Sequence, residues 1–183
     1  MNLDYFLTDF FSKLLPHNQF FNSFFSFFSL KGSSILIWIL VIFIAVILEE
    51  RKKPGISRTD KKFLILFSLS FLLTAFLSDI VLKYIFLRPR PFLSDSIRFY
   101  PIISNFICPV DFSFPSAHAT TAFASAIILS FFDRKKSWFY YIIAVLISYS
   151  RIYLGCHYFA DVFFGAILGF LISKIILFIY RKK

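Results

Sequence analysis

Acidic residues are scarce in this chain. Ten Asp and Glu stand against twenty Lys and Arg in 183 residues, giving a formal net charge of +10. Charge of either sign is sparse as well, at 16% of residues, while hydrophobic residues make up 58% and phenylalanine alone contributes 29. With a mean hydropathy of +0.76, so little charge leaves too much apolar surface to hide from water by folding. An ordinary soluble domain is thereby excluded, and a bilayer is the expected solvent. Cysteine is nearly absent: Cys108 and Cys156 make no disulfide framework, and neither sits in a C-x-x-C zinc spacing. The two could meet on one side of a membrane, but a bridge is not the expectation. The first residues carry Asp4 and Asp9 rather than a basic run, so no cleavable signal peptide is expected. The excess of basic residues does not suggest nucleic acid, because they fall in short clusters between apolar runs, which is a topology signal.

What is present is a succession of apolar segments in one domain's length of chain, residues 1–183. Leu3, Phe6, Leu7, Phe10, Phe11, Leu14 and Leu15 recur at helical spacing with Asp4, Thr8, Asp9, Ser12 and Lys13 between them, up to Pro16. This predicts an amphipathic helix too short and too charged to span, lying at the interface. A second Phe/Ser-rich piece, Phe20 to Leu30, has the same character, so residues 1–31 are read as interfacial and 32–183 as a transmembrane bundle. Spans are predicted at Ser33–Leu48, Phe63–Leu87, Ala117–Phe132, Trp138–Leu154 and Phe159–Tyr180. The fold class is therefore all-α, an integral membrane protein of about five transmembrane helices preceded by interfacial helices.

The polar connections set the orientation. Glu49–Lys62, the turn at 133–136 and the tail at 181–183 share one side and hold twelve of the twenty Lys and Arg. By the positive-inside rule that side is the cytoplasm. The opposite side receives the N-terminal helices, the proline-rich connection 88–115 and the junction 151–158.

On that outer side the unusual polar residues gather at one depth. The second span ends in Lys83 and Arg88-Pro89-Arg90-Pro91; the third opens with Pro115-Ser116-Ala117-His118; the fourth ends at Ser150-Arg151; the fifth begins around His157 and Asp161. Ionisable groups in a membrane sequence are costly and mark sites. Lys83, Arg90 and Arg151 are three cations with only Asp161 clearly beside them, so the site calls for an anion. Guanidinium forks suit phosphate oxygens, and Ser116 with the amide groups opening the third helix adds donors. Two histidines allow a nucleophile and a general acid. Asp161, one helical turn from His157, can hold its ring N–H and fix its tautomer. A phosphohistidine route follows that requires no metal and no cofactor.

Each residue also has an ordinary explanation. Lys83 can snorkel, Arg88 to Pro91 can simply stop a helix, Ser116 can be a cap with His118 packed beside it, and Arg151 can form a structural ion pair with Asp161. His118, His157 and Asp161 could ligate a metal, but three adjacent cations oppose a divalent ion. None of these explains the common depth. An anion carrier using the same cations is a different class of function, yet a carrier should show internal repeats and helices broken at the midplane, and the sequence has neither.

The motifs K-x6-R-P (Lys83 to Arg90-Pro91), P-S-x-H (Pro115 to His118) and S-R-x5-H-x3-D (Ser150-Arg151, His157, Asp161) resemble the signature of the type 2 phosphatidic acid phosphatase superfamily, related in fold to vanadium haloperoxidases. Ala117 stands where that signature usually has glycine; a position that offers its backbone N–H should tolerate alanine if its dihedrals are helical. The resemblance implies that Lys83, Arg90 and Arg151 clamp the phosphate with Ser116 and the Ala117 amide. It further implies that His157 attacks phosphorus, Asp161 orients it, and His118 protonates the leaving oxygen and then activates water. Ser150 matches the motif with a structural or phosphate-contacting role. Peroxidase chemistry has no evident advantage at a lipid interface.

The small size and interfacial N-terminus resemble the bacterial undecaprenyl-diphosphate phosphatases of the cytoplasmic membrane. The partners so implied are a lipid phosphate or diphosphate and the membrane itself, with phosphatidylglycerophosphate, phosphatidate and lipid A as alternative substrates. The motifs do not separate these lipids.

Overall fold

The computed structural model describes residues 3–29, 36–40, 58–91 and 108–182 of the chain. Most of the polar connection predicted at Glu49–Lys62, most of the span Ser33–Leu48 and most of the 92–114 loop lie outside the described residues; residues 58–62 of that connection are helical. Among the described residues all regular structure is helical.

The elements are α1 (Leu3–Ser12), α2 (Gln19–Ser29), α3 (Arg58–Ala75), a π-helical segment (Phe76–Leu82), α4 (Lys83–Phe86), α5 (Ala117–Phe132), a short 3₁₀ turn (Arg134–Lys136), α6 (Ser137–Tyr153) and α7 (Phe159–Arg181). Among the described residues, two continuous helices are long and apolar enough to cross a membrane: Lys61–Phe86, of 26 residues, and Phe159–Arg181, of 23. Helix α5 is apolar but shorter, with 16 residues.

Helix α5 is the axis of the bundle, packed against α3, α6 and α7. Its interior face is small: Ala119, Thr120, Ala122, Ala124, Ser125 and Ala126 are all buried. Apolar bulk lies outside, on Ile65, Leu69, Leu72 and Ile80 of the second span and Phe163, Phe164, Leu171 and Phe178 of α7. Association in lipid gains nothing from hiding apolar surface, so close packing and interhelical hydrogen bonds must hold the helices together. Both are present. A Cβ added at Gly169 would lie 2.1 Å from the Thr120 carbonyl oxygen, and one at Gly165 would lie 2.8 Å from that of Ser116. The Gly165-x3-Gly169 spacing therefore lets α7 touch the backbone of α5. Ser70 of α3 and Ser173 of α7 share a buried hydrogen bond of 2.7 Å.

Helix α1 is amphipathic with its polar face turned inward. Thr8 and Ser12 are buried, whereas Leu3, Phe6 and Phe10 are exposed. The inner face binds the site end of the bundle: the Thr8 hydroxyl accepts from the Phe159 amide at 2.9 Å, the Phe11 ring stacks on Phe159, and the Tyr149 hydroxyl donates to the Phe11 carbonyl. Helix α2 lies on α6, with Phe25 against Tyr149 and Tyr153.

The two cysteines correct the sequence expectation. Cys108 and Cys156 form a disulfide, with Cα atoms 5.2 Å apart. The spacing along the chain, 48 residues, gave no local signal for it. It ties the end of the long connection to the turn that precedes His157.

Candidate active site

Four helix ends meet at one end of the bundle. The π-helical segment carries Asp79 and hands over to α4, whose first residue is Lys83; such segments are frequent at functional sites. Leu87, with a φ of 49°, closes α4, and Arg88 to Pro91 follow. Ser116 sits at the N-terminus of α5, Arg151 in the last turn of α6, and Asp161 in the first turn of α7. Between α6 and α7 the chain reverses at Gly155, where a φ of 71° suits glycine. The Cys156 and His157 amides both donate to the Arg151 carbonyl, at 2.9 and 3.1 Å, which locks the histidine beside the arginine.

Arg90, Arg151, His157, Asp161 and Ser116 are buried, and so is Lys83. The Arg90 guanidinium reaches His157 directly, its Nη1 lying 3.1 Å from Nε2 and 2.9 Å from the Cys156 carbonyl oxygen. Lys83, Arg90, Arg151 and His118 all lie near enough for their charges to act on His157. Burial first, and then the three cations, hold the His157 imidazole well below its usual pKa. A neutral imidazole at ordinary pH retains the lone pair a nucleophile needs.

Two details differ from what the spacing predicts. Asp161 is not the sole carboxylate beside the cations. Asp111 bridges two of them, accepting from Lys83 at 2.5 Å and from Arg90 at 2.5 Å, and Asp79 is a second partner of Lys83. Burial would raise the Asp111 carboxyl, but Lys83 and Arg90 hold it below the usual carboxylate range. Asp161, moreover, pairs with Arg88 and not with Arg151: Arg88 Nη1 lies 2.7 Å from its Oδ1. The other oxygen accepts from the Ser113 hydroxyl at 2.5 Å and from the Tyr158 amide at 2.8 Å, with His157 Nδ1 at 3.5 Å. Asp79, Arg88, Asp111 and Ser113 are thus site residues that the motif spacing does not single out.

The remaining predicted residues divide by their partners. The Arg151 Nη1 is fixed by the Ser29 carbonyl at 2.8 Å and by the Ser29 hydroxyl. Its Nε and Nη2, the Ser116 hydroxyl and His118 Nε2 are buried with no hydrogen-bond partner among the described residues. Buried polar atoms without partners are costly and call for an explanation. Arg151 and Ser116 are residues the motifs assign to the phosphate and His118 is the one assigned to the leaving oxygen, and an oxyanion would satisfy the serine and arginine donors together. Ala117 begins α5, so its position is helical as alanine requires. The Ser150 hydroxyl donates to the Ile147 carbonyl of its own helix at 2.7 Å, which is a structural contact.

The sequence model of the PAP2 superfamily matches residues 63–183. The chain belongs to the PAP2 superfamily. It is a hydrolase acting on phosphate esters and a membrane protein. Across 88% of this chain and 72% of the other, it is 34% identical to an undecaprenyl-diphosphatase of Sulfolobus acidocaldarius. The fold is similar to that of Aquifex aeolicus LpxE, with a TM-score of 0.65 and 27% identity over 97% of this chain and 96% of that one. It is also similar to a transmembrane PAP2-type phosphatidylglycerolphosphate phosphatase from Bacillus subtilis, with a TM-score of 0.62 and 28% identity over 100% and 88% of the two chains. The matched region contains every residue of the three motifs.

Proposed function

We propose that this PAP2 protein removes the terminal phosphate of undecaprenyl diphosphate on the outer face of the cytoplasmic membrane, through a phosphohistidine at His157. The observation that carries the reading is the buried His157 held against Arg90, with unpartnered donors of Arg151 and Ser116 in the same polar cluster. The S. acidocaldarius relative supports the choice of lipid.

The chemistry follows in two displacements. His157 Nε2 attacks the terminal phosphorus while the bond to the bridging oxygen breaks, and His118, protonated once the anionic diphosphate offsets the neighbouring cations, delivers its proton to that oxygen, releasing the lipid monophosphate. Neutral His118 then takes a proton from water as the water oxygen attacks phosphorus. The N–P bond breaks, inorganic phosphate leaves, and both histidines return to their starting states. Lys83, Arg90 and Arg151, with Ser116 and the Ala117 amide, balance the charge that builds on the phosphoryl oxygens. Asp161 and Ser113 keep the His157 ring in place while it becomes cationic.

The outer placement has two independent supports. Among the described residues, Lys61 and Lys62, the basic turn 133–136, and Arg181 and Lys182 lie at the helix ends away from the site. The Cys108–Cys156 disulfide lies at the site end, and disulfides persist in oxidising compartments. In this reading residues 1–31 lie at the interface, 32–183 form a single catalytic bundle of five spans, and the C-terminus is cytoplasmic.

The test is phosphate release by the purified protein from undecaprenyl diphosphate, phosphatidylglycerophosphate, phosphatidate and lipid A, each with and without excess EDTA. The reading predicts the highest kcat/KM for undecaprenyl diphosphate and no loss with EDTA. A preference for another lipid would overturn the substrate, and strict dependence on added divalent metal would overturn the mechanism.

A further inference from the structure

Helix α1 reaches the charged residues of the site through Asp4. Asp4 accepts from Arg88 Nη2 and, through its other oxygen, from the Ala160 amide at 2.8 Å, in the first turn of the helix that carries Asp161. Arg88 uses its second nitrogen, Nη1, on Asp161 Oδ1 at 2.7 Å. The guanidinium therefore stands between two carboxylates, and it also lies over the Tyr158 ring at 4.0 Å. Tyr5 of α1 meets the same Tyr158 ring edge-on at 5.3 Å. Asp4 is 84 residues from Arg88 in sequence, so nothing local requires this contact.

The Asp161 oxygen that Arg88 holds is not the one facing His157. Oδ1 belongs to Arg88, while Oδ2 serves Ser113, the Tyr158 amide and, more distantly, His157 Nδ1. Arg88 thus fixes the rotation of the carboxylate and also draws on its charge. Asp4 offsets that draw, because a guanidinium shared between two carboxylates withdraws less from either one.

We propose that Asp4 and Arg88 are positioning residues for the phosphatase reaction, forming an Asp4–Arg88–Asp161 relay through which the N-terminal helix sets the strength of the carboxylate behind His157. The proposal rests on the reading of His157 as nucleophile. Neither residue touches the reacting phosphate. Their effect is exerted on the charge that Asp161 presents to His157. The other charged groups facing His157 are Lys83 at the start of α4, Arg90 after it, His118 on α5 and Arg151 on α6, and the relay leaves all four in place.

The relay makes opposite predictions for its two members. Asp4→Asn removes a negative charge and leaves Arg88 to Asp161 alone, so the acid limb of the kcat/KM profile should move to lower pH. Arg88→Gln removes a positive charge, so the same limb should move to higher pH. Both should lower kcat by roughly two- to thirtyfold, the range seen for residues acting through others, with KM changed less. Asp4→Glu and Arg88→Lys should restore most of kcat and return the limb towards its original position. The experiment is phosphate release from undecaprenyl diphosphate by the full chain in proteoliposomes, with a thermal unfolding midpoint taken for each variant. Shifts of opposite sign support the relay. Limbs that stay in place or move together overturn it, whatever happens to the unfolding midpoint. If the wild-type chain is active and His157→Ala retains that activity, the nucleophile assignment fails instead, and the two failures are distinguishable.

Discussion

Asp161 is closer to Ser113 than to His157. Its Oδ2 lies 2.5 Å from the serine hydroxyl and 3.5 Å from the histidine Nδ1, while Ser113 Oγ is itself 3.4 Å from Nδ1. The serine therefore sits beside the carboxylate–imidazole contact as a third party. It donates to the carboxylate and keeps a lone pair for the ring N–H.

From that arrangement Ser113→Ala should lower kcat by about tenfold, equivalent to ~1.4 kcal/mol of transition-state stabilisation, with KM nearly unchanged. Steady-state phosphate release measures it. An unaltered kcat would show that Asp161 acts on His157 without the serine.

The pH profile has a definite sign. Burial and the cations Arg90, Arg151 and Lys83 depress the His157 pKa well below 6.5 in the free protein. Only the neutral ring attacks, so kcat/KM should hold its value below pH 6.5 and fall only as His157 protonates at lower pH. Folding stability moves in the same direction. An imidazole depressed by folding binds fewer protons in the folded than in the unfolded state, so its neutrality destabilises the fold as pH drops through the unfolded value. An acid limb at or above pH 6.5 would contradict the electrostatic picture.

Gly169→Ala tests the helix contact beneath the site. Its Cβ would lie 2.1 Å from a backbone oxygen of Thr120, which no rotamer change can relieve. Helices α5 and α7 must separate, at a cost of about 2 kcal/mol or more, and Ser116 and Asp161 ride on those two helices. The variant should show a lower thermal midpoint together with reduced activity. A wild-type midpoint would mean that the two backbones are not in contact.

The disulfide is tested by thiol counting. Protein purified without reductant should yield no labelled cysteine after denaturation, and two after reduction. Its loss should cost roughly 2–4 kcal/mol of stability, because the bridge joins the Asp111–Ser113 segment to the Cys156–His157 turn. Two reactive thiols in the unreduced protein would contradict it.

The sequence was most informative where chemistry lay in short spacings. Lys83 and Arg90 flank one helix end, Ser116 and His118 open another helix, and Arg151, His157 and Asp161 span the short junction between two more, so close spacing in an apolar context makes each set visible. Their partners come from far along the chain. Asp111 is 28 residues from Lys83, and Ser113 is 48 from Asp161. No local period connects such residues, and Asp111 reads as one more polar residue in a proline-rich loop. Helix α1 shows a different limit. Its periodicity separates two faces, but in a membrane protein the polar face can be the buried one, as Thr8 and Ser12 are. The assignment of which face packs inward needed Arg88 and Phe159 in view. The cysteines, 48 residues apart, illustrate the same point for a covalent contact.

The central claim is that His157 carries the phosphoryl group. Rapid acid-free quenching of the wild-type protein with undecaprenyl diphosphate labelled in its terminal phosphate, followed by peptide mapping, tests it most directly. An acid-labile, base-stable phosphoryl adduct is expected on His157 and should be absent from His157→Ala. Label on His118, or turnover by the wild-type protein with no covalent adduct at any time point, would contradict it.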